Sequence, residues 1–191
     1  MKRILFILLF LPVFTKGQKT PAEKKQLTFT SLVKNIETIN LPFSHKCGED
    51  FKTIDKIDTE LYKYFPPLYP DHPEYGWHII GKVSENNKYV ALLSVNTYSD
   101  YAIPYLITFT KQGTTITKFE VYKIGCSDDE FYHGEVTFTI NKNLTINISD
   151  SSATYKRDIA GKIIKESINS KSSKYLFKVT DDGIIVSVTP N

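Results

Sequence analysis

An uninterrupted apolar run from Ile4 to Phe14 opens the chain, preceded by Lys2-Arg3 and followed by Thr15-Lys16-Gly17 and polar Gln18. Positive charge, apolar centre and small polar exit, in that order, form the three-part pattern of a secretory signal. The run is about 11 residues long, whereas a bilayer-spanning helix needs about 20, so residues 1–17 are predicted to be a cleaved signal peptide, with no transmembrane anchor after processing. No cysteine follows the run, which excludes lipid attachment at a new N-terminal Cys for that cut. Residues 18–28 are polar and Lys-rich, a flexible N-terminal arm, and residues 29–191 carry the patterning of a single β-rich domain.

Within that domain Phe29, Leu32, Val33 and Ile36 recur at helical spacing and predict a short amphipathic helix. Ile39, Leu41 and Phe43 then alternate as in a strand, and Pro42 between them assigns that strand to a sheet edge. A second short helix is predicted from Asp58 as N-cap, with Leu61, Tyr64 and Phe65 on one face and Pro66-Pro67 ending it. Four prolines among residues 66–76 forbid both a helix and an interior sheet ladder, so this stretch reads as a semi-rigid loop.

From Trp77 onward the period changes to two. Strands are predicted at 77–84, 89–97, 103–111, 115–124, 134–141, 143–149, 153–158, 162–168, 174–180 and 184–189. Turn signals separate many of them: Glu85-Asn86-Asn87-Lys88, Lys111-Gln112-Gly113, Asn141-Lys142-Asn143, Ile159-Ala160-Gly161 and Asp181-Asp182-Gly183. Connections this short join antiparallel neighbours. Val136, Phe138 and Ile140 alternate with threonines, as do Leu144, Ile146 and Ile148 with polar residues, so one face of that hairpin is wet. Tyr89 to Val95 is apolar on both faces, which places that strand mid-sheet, covered on both sides, with the two N-terminal helices as natural cover. The fold class expected is therefore mainly β: an antiparallel meander of about ten strands, as a curved sheet, a barrel or a two-layer sandwich, with two short N-terminal helices.

Charge alters this picture only after the signal is removed. Lys2, Arg3 and Lys16 leave with it and no acid does, so the 24 basic residues lose three and match the 21 acidic ones. The basic balance of the whole chain thus belongs to the targeting segment, and it supports neither nucleic acid nor an anionic membrane as partner of the folded domain. In organisation, a short signal ending in Gly17-Gln18 and then a small β domain rich in Lys, Ile, Asn and Tyr, the chain resembles exported proteins of AT-rich Gram-negative bacteria. That resemblance covers the whole length, implies a periplasmic or extracellular location and carries no activity or site residues.

Candidate chemistry is sparse. Glycine-rich phosphate loops, Gly-x-Ser-x-Gly, His-Glu-x-x-His and EF-hand loops are all absent from the sequence. The two cysteines, Cys47 and Cys126, are expected to form a disulfide in an oxidising compartment, the alternatives being two separate buried thiols or a reactive one. Such a bond would bring Glu49 and Asp50 within reach of Asp128, Asp129 and Glu130, and clustered carboxylates suit a hard cation such as Ca²⁺. Solvated acidic loops flanking a structural disulfide are the plainer reading. No cofactor is expected apart from that calcium alternative.

A second candidate is the Pro-rich loop, where Tyr69, Asp71, His72, Glu74, Tyr75 and the single tryptophan Trp77 could stack on a sugar or peptide while the acids accept hydrogen bonds. Such aromatics more often pack over the end of a sheet. A basic stripe, Lys156, Arg157, Lys162, Lys165, Lys171, Lys174 and Lys178 against only Asp158 and Glu166, reads as protection of late strands against edge-to-edge pairing. Three functions remain open on the sequence: a non-enzymatic exported binding or structural module with a glycan or protein partner, a secreted hydrolase of glycan or peptide using carboxylates from Asp71, Glu74, Asp128, Asp129 and Glu130, and a small-ligand carrier with a barrel cavity.

Overall fold

The computed structural model describes residues 28–54, 59–66, 76–96, 102–122 and 126–189. The predicted signal, the N-terminal arm as far as residue 27 and most of the Pro-rich loop lie outside these residues. Among the described residues, no helix is long and apolar enough to cross a membrane.

The first predicted helix is present as α1, Phe29–Val33. Thr28 caps it, its hydroxyl accepting from the Ser31 amide at 3.3 Å, and Phe29, Leu32, Val33 and Ile36 are all buried, as their spacing requires. The second helix is corrected: Thr59–Tyr64 forms a 3-10 helix, and the expected cap Asp58 lies outside the described residues. The tighter winding shows in the bond from the Phe65 amide to the Tyr62 carbonyl at 3.0 Å, three residues back, and the following proline pair stops it from extending. Its apolar residues still bury, with Leu61 and Phe65 in the core and Tyr64 partly covered.

Two antiparallel sheets follow. The first is a plain meander of β2 (Trp77–Glu85), β3 (Tyr89–Asn96), β4 (Ile103–Thr110) and β5 (Thr115–Glu120). The second runs β1-β7-β8-β9-β10 across space, built from β1 (Phe43–Lys46), β7 (Tyr132–Ile140), β8 (Thr145–Arg157), β9 (Ile163–Val179) and β10 (Ile185–Ser187), with short β6 (Ser127–Asp128) on the same edge of β7. The sheets stack as two layers and no barrel closes. Every residue of β3 is buried, so the strand read as apolar on both faces does lie in the middle of three layers. On one side Val90 and Leu92 meet Phe29, Leu61 and Phe65 from the helices; on the other Ala91 and Leu93 meet Val136, Phe138, Ile140, Ile146 and Ile148 of the second sheet.

The strand with Pro42 sits at an edge, as expected, although it starts only at Phe43, after the proline. Two expected breaks are absent. The stretches 143–149 and 153–158 belong to one strand, β8, and 162–168 and 174–180 to another, β9. The polar residues Ser149 to Ser152 look like a loop in sequence, yet each pairs with β7 on one side and β9 on the other, because ladder bonds need only backbone. Between the Thr154↔Asn169 and Lys156↔Ile164 pairs the ladder slips, and β9 carries an insertion opposite Tyr155. Ser167 bridges it, its hydroxyl accepting from the Lys156 amide at 2.7 Å and donating to the Ile164 carbonyl at 2.6 Å.

The hairpin turn at Gly183 also locks the layers together. Gly183 has φ +80°, and a Cβ there would stand 2.9 Å from the Tyr89 ring, so both conformation and space demand glycine. Its carbonyl accepts from the hydroxyl of buried Thr108 at 2.6 Å, which ties the second sheet to the first.

Candidate functional site

The end of β1 and the segment that leads into β6 are joined by a disulfide between Cys47 and Cys126, whose Cα atoms are 5.8 Å apart. Beside it lies a cleft of about 210 Å³ lined by His45, Gly48, Glu49, Asp50, Phe51, Ala102, Tyr122 and Cys126. Local geometry explains how the walls form. Along β1 the burial alternates, so His45 is the strand position that faces inward, opposite Phe138, while Ser44 and Lys46 face out. After β1 the chain turns tightly: Gly48 has φ +88°, the Glu49 amide donates to the Lys46 carbonyl at 3.1 Å, and the Glu49 carboxylate accepts from the Lys46 amide at 3.1 Å. That turn carries Glu49 and Asp50 to the rim and returns Phe51 over His45, the two rings stacking at 3.5 Å with 7° between their planes.

Tyr122 closes the other wall, sharing a buried 2.9 Å hydrogen bond with His45 Nδ1. His45 Nε2 is also buried and has no hydrogen-bond partner among the described residues. Burial holds the imidazole below its ordinary pKa, against the opposing pull of the Glu49 charge and backbone. Burial, reinforced by the same carboxylate, pushes the Tyr122 phenol well above its usual range. Both groups are therefore neutral at physiological pH, and the charge at the cleft comes from Glu49 and Asp50.

The disulfide does not gather all five acidic candidates. Glu49 and Asp50 line the cleft, whereas Asp128, Asp129 and Glu130 are exposed on β6 and the turn after it. Asp128 stands 3.4 Å from His133 Nδ1, and the Asp129 carboxylate accepts from the Phe131 amide at 2.8 Å. Among the described residues no three His, Cys, Asp or Glu side chains converge as a metal site would need.

Of the Pro-aromatic candidates, Tyr69, Asp71, His72, Glu74 and Tyr75 lie outside the described residues. Trp77 is buried at 7% exposure between Phe65 and Tyr105, and its indole N–H donates to the Pro66 carbonyl at 3.0 Å. It is a core residue at the start of β2 and presents no open stacking face.

His45, Phe51 and Tyr122 as walls of one site went unnoticed in the sequence. The one available signal was a polar side chain on the apolar phase of a short strand, Phe43-Ser44-His45, and the same signal marks Asp150. Asp150 continues the inward row of Ile146 and Ile148 on β8, is 1% exposed, and neither carboxylate oxygen has a partner among the described residues. No protein-family pattern, curated protein or solved structure matches this chain.

Proposed function

We propose that the chain is an exported, non-enzymatic binding module that captures a side-chain-sized cationic group, such as an amine presented by a protein or glycan partner, in the cleft beside the disulfide. The observation that carries this reading is the pairing of an aromatic wall with an acidic rim. Phe51, His45 and Tyr122 form the wall, and Glu49 and Asp50 stand at its mouth. A cation placed there gains from the carboxylates and from the ring faces together. The size argues for part of a larger partner: about 210 Å³ is below the range of about 300–1,000 Å³ typical of pockets that enclose a whole drug-sized ligand. The disulfide fixes both walls before binding, which lowers the ordering entropy lost on association.

The test is a glycan and peptide array probed with the secreted protein and with the Glu49→Gln/Asp50→Asn double variant. Amine-bearing or Lys/Arg-containing probes should be retained by the wild type and lost by the variant. Retention profiles that are the same for both proteins, or that favour acidic probes, would falsify the reading.

A further inference from the structure

Among the described residues, exposed apolar side chains gather far along the chain from the cleft, at the end of the β8–β9 hairpin. Ile159 in the turn is fully exposed, and Ile163 and Ile164 are 42% and 38% exposed. Support from the rest of the second sheet stops before them, because the last pair that β7 makes with β8 is Tyr132↔Thr154. Past that point the sheet is a two-stranded ribbon, touched at its base by the turn before β7, where the Tyr155 amide donates to the Phe131 carbonyl at 3.0 Å and Arg157 Nε to the Glu130 carbonyl at 2.9 Å, while the three isoleucines themselves stay exposed. A two-stranded ribbon is marginal in water by itself, and an apolar tip on one is an unusual thing to leave bare.

Register decides what such a tip can meet. Arg157 pairs with Ile163 and Lys156 pairs with Ile164, so each face of the ribbon carries one isoleucine and one cation, with Ile159 at the apex. A flat partner would cover one face and leave the other Ile wet. A medium that surrounds the tip covers both. Lys156 and Lys162 are exposed and make no ion pair among the described residues, and each stands three residues from the apex, about 10 Å at strand rise. That matches the depth of about 5–10 Å to which interfacial elements bury their apolar side. Asp158, the acid that lies between them in sequence, is occupied within the turn, accepting from the Ala160 and Lys162 amides at 2.9 Å each.

We infer that the β8–β9 hairpin is a membrane-surface probe: Ile159, Ile163 and Ile164 enter the headgroup boundary of a lipid bilayer while Lys156 and Lys162 engage its phosphates, Arg157 being held inside the hairpin by the Glu130 and Gly161 carbonyls. The favoured surface is anionic, by charge complementarity with this local cluster, although the processed chain as a whole is charge-balanced. The inference is independent of the cleft and of its ligand.

The experiment is vesicle co-sedimentation of the secreted, disulfide-bonded protein, using phosphatidylcholine alone and an equimolar mixture with phosphatidylglycerol. Binding is expected to the mixed vesicles, to weaken as salt rises, and to fall by about tenfold or more in Ile159→Ser/Ile163→Ser, whose melting temperature stays that of the wild type because both side chains are already exposed. Lys156→Glu/Lys162→Glu is expected to abolish the preference for the anionic vesicles. Equal binding to both vesicle types, no binding to either, or unchanged binding in the isoleucine variant overturns the proposal. So does concentration-dependent self-association that the isoleucine variant abolishes, since that assigns the tip to a second copy of the chain.

Discussion

His45 and Tyr122, 77 residues apart, share a 2.9 Å hydrogen bond in the interior, one from the edge strand of the second sheet and the other from the chain leaving the first. The bond joins the two layers at their open end, beside the disulfide. Burial of the two partners sets the ionisation of the site, since each is desolvated enough to favour its neutral form.

A pH dependence follows from the imidazole. Its folded-state pKa lies below the ordinary value of 6.5, so the unfolded chain takes up the proton first as pH falls. Stability from this group is complete above about pH 6.5 and is lost as pH falls from there toward the lower folded-state value. Melting temperatures from pH 7.5 to 5, recorded for wild type and His45→Phe, should show a downward slope in the wild type that the variant lacks. A constant difference between the two curves over that range would dispose of the claim.

The disulfide closes a separation of 79 residues, which the chain-entropy argument values at about 4 kcal/mol. Cys47→Ser/Cys126→Ser is expected to melt about 10 °C lower, since 1 kcal/mol moves the midpoint of a domain this size by about 2–4 °C. Denatured, unreduced protein should show no titratable thiol. Two thiols in that assay would contradict the bond.

Much of the architecture was legible because burial leaves a period in the sequence. Tyr89 to Val95 could be placed mid-sheet because a strand apolar on both faces has no stable position elsewhere, and all five turn signals fall between paired strands. The long β8–β9 ribbon escapes that pattern for the converse reason. Ser151, Ser152, Asn169 and Ser170 carry loop-like side chains, and only the partner strands, which sequence does not display, keep them extended. The cleft was half legible. Glu49 and Asp50 stood out as an acidic pair next to a cysteine, but the contact of His45 with Tyr122 spans two sheets and has no local trace.

Calcium offers a further test. The five carboxylates once grouped by the disulfide divide between the cleft and the β6–β7 turn, and among the described residues no trio of ligating side chains converges. Hard cations need several oxygens at one point. Thermal melts in millimolar Ca²⁺ and in chelator are therefore expected to superimpose, and a midpoint raised by Ca²⁺ would show that the carboxylates do meet.

Asp150 should be a site where a substitution stabilises. It lies in the apolar row of β8 between Val136 and Ser173, 1% exposed, with both carboxylate oxygens unpartnered among the described residues. A buried polar side chain without hydrogen bonds carries a desolvation cost that an apolar group of similar size escapes. Asp150→Val removes both unpartnered oxygens and places a β-branched side chain against Val136, so it is expected to gain about 1 kcal/mol, or about 2–4 °C in melting temperature. Asp150→Ala also removes the oxygens but opens space beside Val136 and Ile148, and should gain less than the valine. A loss of stability in Asp150→Val would mean that the carboxyl oxygens do have partners in solution, and these would then have to be sought on that inner face.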